Sequence, residues 1–185
     1  MQWVVDAKEN ITQGSIVCGV DWGRGEDNPV LSIVLSNACD FEHEKLSFLI
    51  VAALVPAKET LMATKEYKSK VDSADEEKGL KKKPWDSFVN YLTNFIHNTS
   101  VGRYFFFDPN PVIDAPLLLG DFQQVQSLDV DIIDDLTNVG QLDHPHVEKM
   151  MAHFVGYTGR VPTDRSDSPE EATYLQELRG DYHKS

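Results

Sequence analysis

The sequence predicts an α+β fold, organised as a single domain over residues 1–185. Three observations point that way. Apolar, β-branched runs of strand length recur at residues 15–20, 30–35 and 46–55. Two other stretches repeat large apolar residues at helical spacing: Trp85, Phe88, Leu92 and Phe95/Ile96, then Val147, Met150/Met151, Phe154 and Tyr157. The composition, 41% hydrophobic and 25% charged over 185 residues, is that of a globular chain able to bury a core without disulfides or metals.

Taken in chain order, SIVCGV (15–20) reads as a first strand. The Gly- and Pro-containing DWGRGEDNP is a loop, and VLSIVL (30–35) a second strand. Residues 36–45 are a polar connection. LSFLIVAALV (46–55) is a third strand, apolar enough to be buried on both faces and ended by Pro56. Residues 60–83 are rich in Lys, Glu, Asp and Ser and poor in large apolar side chains, which predicts an exposed, partly helical insertion. Its basic cluster (Lys78, Lys81, Lys82, Lys83) lies beside an acidic run (Asp72, Asp75, Glu76, Glu77), a mixture typical of a solvated segment.

Pro84 suits the first turn of a helix over 84–98. RYFFF (103–107) is a fourth strand, and its three consecutive Phe cannot all face solvent. Residues 117–119 and 122–128 predict one or two more strands without clean alternation. A helix follows over 145–157, with Asp143 or His144 as side-chain cap, and a last one over 168–179, with Ser168 as cap and Pro169 in its first turn.

The net charge is −13, which repels polyanions and disfavours non-specific nucleic-acid binding. The N-terminal stretch lacks the features of a secretory signal, and no apolar run is long enough to span a bilayer, so a cytoplasmic protein without membrane attachment is expected. The two cysteines, Cys18 and Cys39, are expected to be buried and reduced. No cofactor is expected.

The opening stretch resembles the MazF/PemK family of bacterial growth-inhibitor toxins. Gly14, Ser15, Ile16 and Val17 match that family's Gly-Asp-Ile-Val strand; Asn28, Pro29 and Val30 through Ser36 match its Arg-Pro-Val strand. Val51 to Pro56 match its apolar third strand, and Gly140, Gln141 and Leu142 its closing Gly-x-Leu. The resemblance implies a small, strongly bent β-barrel with appended helices, here built from residues 14–56 and 103–142, and a possible homodimer. Many members are sequence-specific endoribonucleases. Here the Arg before Pro is Asn28, and the Thr expected after the third strand is missing from Val55-Pro56-Ala57.

Cleaving RNA requires a cation to stabilise charge on the phosphate and a polar group to move a proton. Arg24 is the one cation in a family-like position. Ser36, Asp40 and His43 are the candidates to accompany it. Cys39 with His43 also offers a nucleophile–base pair or a metal-ligand pair, against the plainer reading of a cysteine at a strand end beside an acidic turn. His144, His146 and His153 with Asp143 and Glu148 form the densest group of ligand-type residues, of the kind that more often caps and solvates a helix start, and no metal site is expected. Trp22 and Arg24 in the first loop pair an aromatic with a cation, as recognition surfaces do, although a loop Trp is about as often a lid over a barrel end. Two functions follow. One is a non-catalytic interaction module that binds a protein partner in a toxin–antitoxin or phage-defence setting. The other is a divergent, metal-independent endoribonuclease using RNA.

Overall fold

The structure, a computed structural model, describes residues 3–25, 29–43, 45–71, 82–99 and 102–159. The strands are β1 (Val4–Val5), β2 (Ser15–Cys18), β3 (Leu31–Val34), β4 (Phe48–Pro56), β5 (Tyr104–Phe107), β6 (Leu118–Asp129) and β7 (Thr137–Leu142). The helices are α1 (Ala38–Glu42), α2 (Ala57–Met62), α3 (Lys65–Val71), α4 (Lys82–Ile96) and α5 (His146–Thr158), and a 3-10 turn, Val130–Asp135, joins β6 to β7. The strands form one antiparallel sheet in the order β1-β7-β2-β3-β4-β6-β5, curled into a half-barrel, so the fold is α+β.

Period-two alternation sorts the side chains onto two faces. Leu31, Ile33, Ala52, Leu54, Phe105 and Phe107 point to one face, where Met150, Val147, Phe154 and Tyr157 of α5 cover them. Val17, Val34, Leu49 and Val51 point to the other, closed by Trp22, Phe41, Leu46 and the apolar side of the 3-10 turn. Phe106 and Leu119 form a third cluster with Phe95 of α4. All three consecutive Phe are thus buried, each against a different layer from its neighbour.

Several local readings change. Residues 36–45 are not merely a polar connection: Asn37 caps α1, its side-chain oxygen accepting from the Cys39 N–H. β4 is covered on both faces only in its middle; Phe48 and Ile50 are exposed because α5 does not reach them. Residues 117–128 belong to one strand, whose alternation is broken by a register shift opposite Ala52/Ala53. That shift is why no simple period was visible. No side chain caps α5; the Asp143 backbone carbonyl accepts from His146 and Val147 instead. β1 and β7, absent from the strands expected above, pair with each other at one end of the sheet. The segment 168–179 lies outside the described residues, as do Asn28, Lys78, Lys81 and the run 72–77.

Two buried features carry testable consequences. Gly14 has φ +80°, and a Cβ there would lie 2.8 Å from Val147 Cγ2 and 2.9 Å from Gln141 Nε2. Gln141 cannot yield freely, because Ser15 Oγ donates to its Oε1 and its Nε2 donates to the Gln13 carbonyl. Gly14→Ala should therefore destabilise the fold by about 2 kcal/mol, read as a lower urea midpoint. His146 is buried, stacked on Trp3 at 4.1 Å between centroids, with neither ring nitrogen hydrogen-bonded. Burial, and secondarily the nearby Lys149, pushes its pKa below the ordinary 6.5. The unfolded chain then takes up the proton first, so stability is lost as pH falls below about 6.5. His146→Phe should shrink the drop in melting temperature between neutral and mildly acidic buffer.

Candidate functional site

The first loop does not float. Asp21 Oδ1 accepts from the Gly23 N–H, and Gly23 and Gly25 take up left-handed backbone, which turns the chain back toward the sheet. Trp22 is half-buried against the second core cluster, and its indole N–H donates to Ser32 Oγ at 3.2 Å. It is a lid over the sheet. Arg24, two residues on, reaches across to β6, where its Nη1 donates to Gln124 Oε1 at 2.8 Å.

Gln124 belongs to a larger network. Its Nε2 donates to Asp121 Oδ2 at 2.7 Å. Asp121, 1% exposed, also accepts from Arg103 Nε (2.6 Å) and Nη2 (2.5 Å) and from the Gln123 N–H (3.0 Å). The paired carboxylate raises the Arg103 pKa further, and the guanidinium lies 4.8 Å over the Tyr104 ring. Arg24, Gln124, Asp121 and Arg103 therefore form one chain of charge-assisted bonds joining the first loop to β6 and β5.

A groove of about 550 Å³ opens on one side of Gln124. Leu54, Val55 and Pro56 of β4 line it, with Val30 and Leu31, Leu118 and the loop Ile113 to Pro116; Arg24 and Asp114 supply its charges. Val30 is 77% exposed at its lip. A second hollow of about 520 Å³ lies on the other side of Gln124, bounded by Thr60, Thr64, Lys65, Arg103 and Tyr104.

The other expected site residues are not here. β3 carries Arg24's loop at its start and Ser36 at its end. Leu31 pairs with Leu54, while Leu35 bonds to Ile50, four residues away along β4 and about 13 Å at strand rise. Ser36 is buried, its Oγ accepting from the Ile50 N–H. Asp40 and His43 sit in and just after α1, with His43 exposed at its end. The fold does not bring Arg24 together with Ser36, Asp40 or His43.

Cys39 is exposed in the first turn of α1, which corrects the expectation that it is buried; strand β3 ends five residues earlier, at Val34, and a helix begins in its place. Cys18 is half-buried and burial raises its pKa; both thiols are free. The histidine group disperses as well. His144 pairs with Glu148 at 2.6 Å in solvent, His146 stacks on Trp3, and His153 Nε2 lies 2.9 Å from both the Gly102 N–H and carbonyl. Among the described residues no cluster of three or more His, Cys, Asp or Glu could hold a metal. No helix among them is long and apolar enough to cross a membrane.

Asp121, Arg103 and Gln124 were absent from the residues expected to matter. The available signal was an Asp inside an apolar strand and an Arg at the start of another, a pair that burial requires to meet. No model of a known protein family matches the chain, and no curated protein matches it.

Arg103→Met should cost about 3 kcal/mol in chemical denaturation, because it strands the Asp121 carboxylate in the core. Native-state thiol labelling should proceed at Cys39 well before Cys18.

Proposed function

We propose that the chain is a non-catalytic interaction module, MazF/PemK-like in its strand pattern, that binds a protein partner through an apolar segment laid in the Val30–Leu54–Pro56 groove. The observation that carries this reading is the separation of Arg24 from every candidate proton-transfer group. Arg24 stands at the rim of an apolar groove, bonded to Gln124, while Ser36 is bound up in the sheet and Asp40 and His43 lie at the far end of β3. A cation at the edge of an apolar surface suits recognition of a side chain or peptide end. The net charge of −13 supports a protein partner over RNA. The toxin–antitoxin or phage-defence setting, and a cytoplasmic location, belong to this proposal through the resemblance.

The reading is tested by producing the chain alone and with its genomic neighbours. Growth should be unaffected, and the purified protein should leave RNA intact. A photo-crosslinking residue at position 30 should capture one neighbour-encoded protein, whereas the same residue at exposed position 62 on α2 should not. Val30→Asp should abolish that capture and leave the melting temperature unchanged. Robust cleavage that disappears in Arg24→Ala would establish the ribonuclease instead.

A further inference from the structure

The two sides of β6 are treated differently by the fold. β4 pairs with it at both ends, from Leu118 to Asp121 and from Val125 to Asp129. β5 covers only Leu118 to Asp121. Beyond Phe122 the outer edge has no strand beside it among the described residues.

The free groups can be named. Val130 N donates to the Ser47 carbonyl, directly opposite, and Leu35 N donates to the Ile50 carbonyl on the other side of β4. With Phe48 opposite Asp129 and Ile50 opposite Ser127, the ladder bonds to β4 fall at Val130, Leu128 and Gln126. The N–H and C=O of Val125 and Ser127 and the N–H of Asp129 therefore point away from β4, while the Asp129 C=O is taken up by the first bond of the 3-10 turn that it caps. By contrast, the outer edge of β5 is closed: the Asn98 side-chain amide donates to the Phe106 carbonyl and accepts from its N–H, both at 2.8 Å. The β5 edge is capped at Phe106, whereas the β6 edge beyond Phe122 has no strand beside it among the described residues.

An apolar strip of β4 runs beside the open edge, which itself adds Val125. Phe48 (59% exposed), Ile50 (38%) and Val125 (39%) lie on the same side of the β4–β6 ribbon, continuing the face that α5 covers from Ala52 onward. Its far end is acidic: Asp129, Asp131, Asp134 and Asp135 are all exposed. We infer that the Val125–Asp129 edge of β6 is a strand-addition site for an extended, basic segment of a protein partner. That segment runs antiparallel to β6, an apolar residue beside Val125 and its basic N-terminal end beside Asp129 and the acidic turn. This identifies the partner's chemistry and rests on the reading of the chain as an interaction module. The net charge of −13 selects a basic partner over a second copy of the chain.

The probe is a short synthetic peptide of alternating valine and threonine with lysines at its N-terminus, and a control with glutamates in their place. Amide exchange by NMR is read on the full chain. The inference expects fast exchange at Val125, Ser127 and Asp129 in the protein alone, slowed by the lysine peptide. The glutamate peptide should bind on the order of tenfold or more weakly. Ser127→Pro removes the central outward donor without touching the bonds to β4, a position proline tolerates on an edge strand. It should abolish peptide binding while keeping the melting temperature. If Ser127→Pro fails to fold, Val125→Lys, which repels the peptide lysines from an exposed position, should lower the affinity in its place.

Unchanged exchange on adding peptide, or full binding by the edge variants, would overturn the site. Slow exchange without peptide in a protein that sediments as a dimer would assign the edge to a second copy. Val30→Asp should retain peptide binding, so loss of the groove reading and loss of the edge reading are separate results.

Discussion

A long strand cannot pair with one neighbour across a bent sheet unless its register slips somewhere. β6 slips between Asp121 and Val125, leaving Phe122, Gln123 and Gln124 as extra residues opposite the Ala52–Ala53 step of β4. Asp121 holds that bulge in place. One buried carboxylate accepts the Gln123 N–H that the bulge releases, the Gln124 amide, and both arms of Arg103. A charge taken from water needs such a set of donors, and here they come from the bulge of β6 and from Arg103 beside β5, with the first loop joined one step further through Gln124. Arg103 brings β5 against β6. Gln124 brings the first loop, through Arg24. The bulge itself turns the second half of β6 away from β5.

The groove and the outer edge of β6 follow from that geometry. On the side of the first loop, the turn of β6 leaves a gap between the start of β3, the end of β4 and the 113–116 loop, and the gap is lined by the apolar residues that strand ends and proline-rich loops supply. On the other side, pairing with β5 ends at Asp121, and no strand among the described residues pairs with the remaining edge. Groove and edge are thus separated by the Gln124 bulge. Several polar residues of catalytic type are tied up in internal bonds: Ser36 with the Ile50 N–H and His153 with Gly102 hold backbone, while Ser32 with the Trp22 indole and Ser15 with the Gln141 amide hold side chains.

The strand pattern of the MazF/PemK resemblance falls on β2, β3 and β4, whose apolar letters are core letters. Of the letters that differ from that resemblance, Asn28 lies outside the described residues and Ala57 follows β4. Ala57 is itself buried, its N–H bonded to the Leu117 carbonyl at the start of α2, so that position serves the turn from β4 into the helix.

What the sequence by itself determined were the parts governed by local rules. The α+β class, the strands at 15–18, 31–34, 48–56 and 104–107, and the helix starting near Pro145 follow from hydrophobic period and turn residues, because each is settled within a few residues of chain. The exposure of Cys39 was misread for the same reason: one Asn cap, not hydrophobicity, decides that the chain turns into a helix there. Only the tertiary structure decided the rest. The pairing of β1 with β7, the slip in β6, the meeting of Arg103 with Asp121, the distance between Arg24 and Ser36 and the bare edge at Val125 are all products of strand order. Strand order is set by which faces can be covered by elements far away in the chain, and no local period encodes that choice.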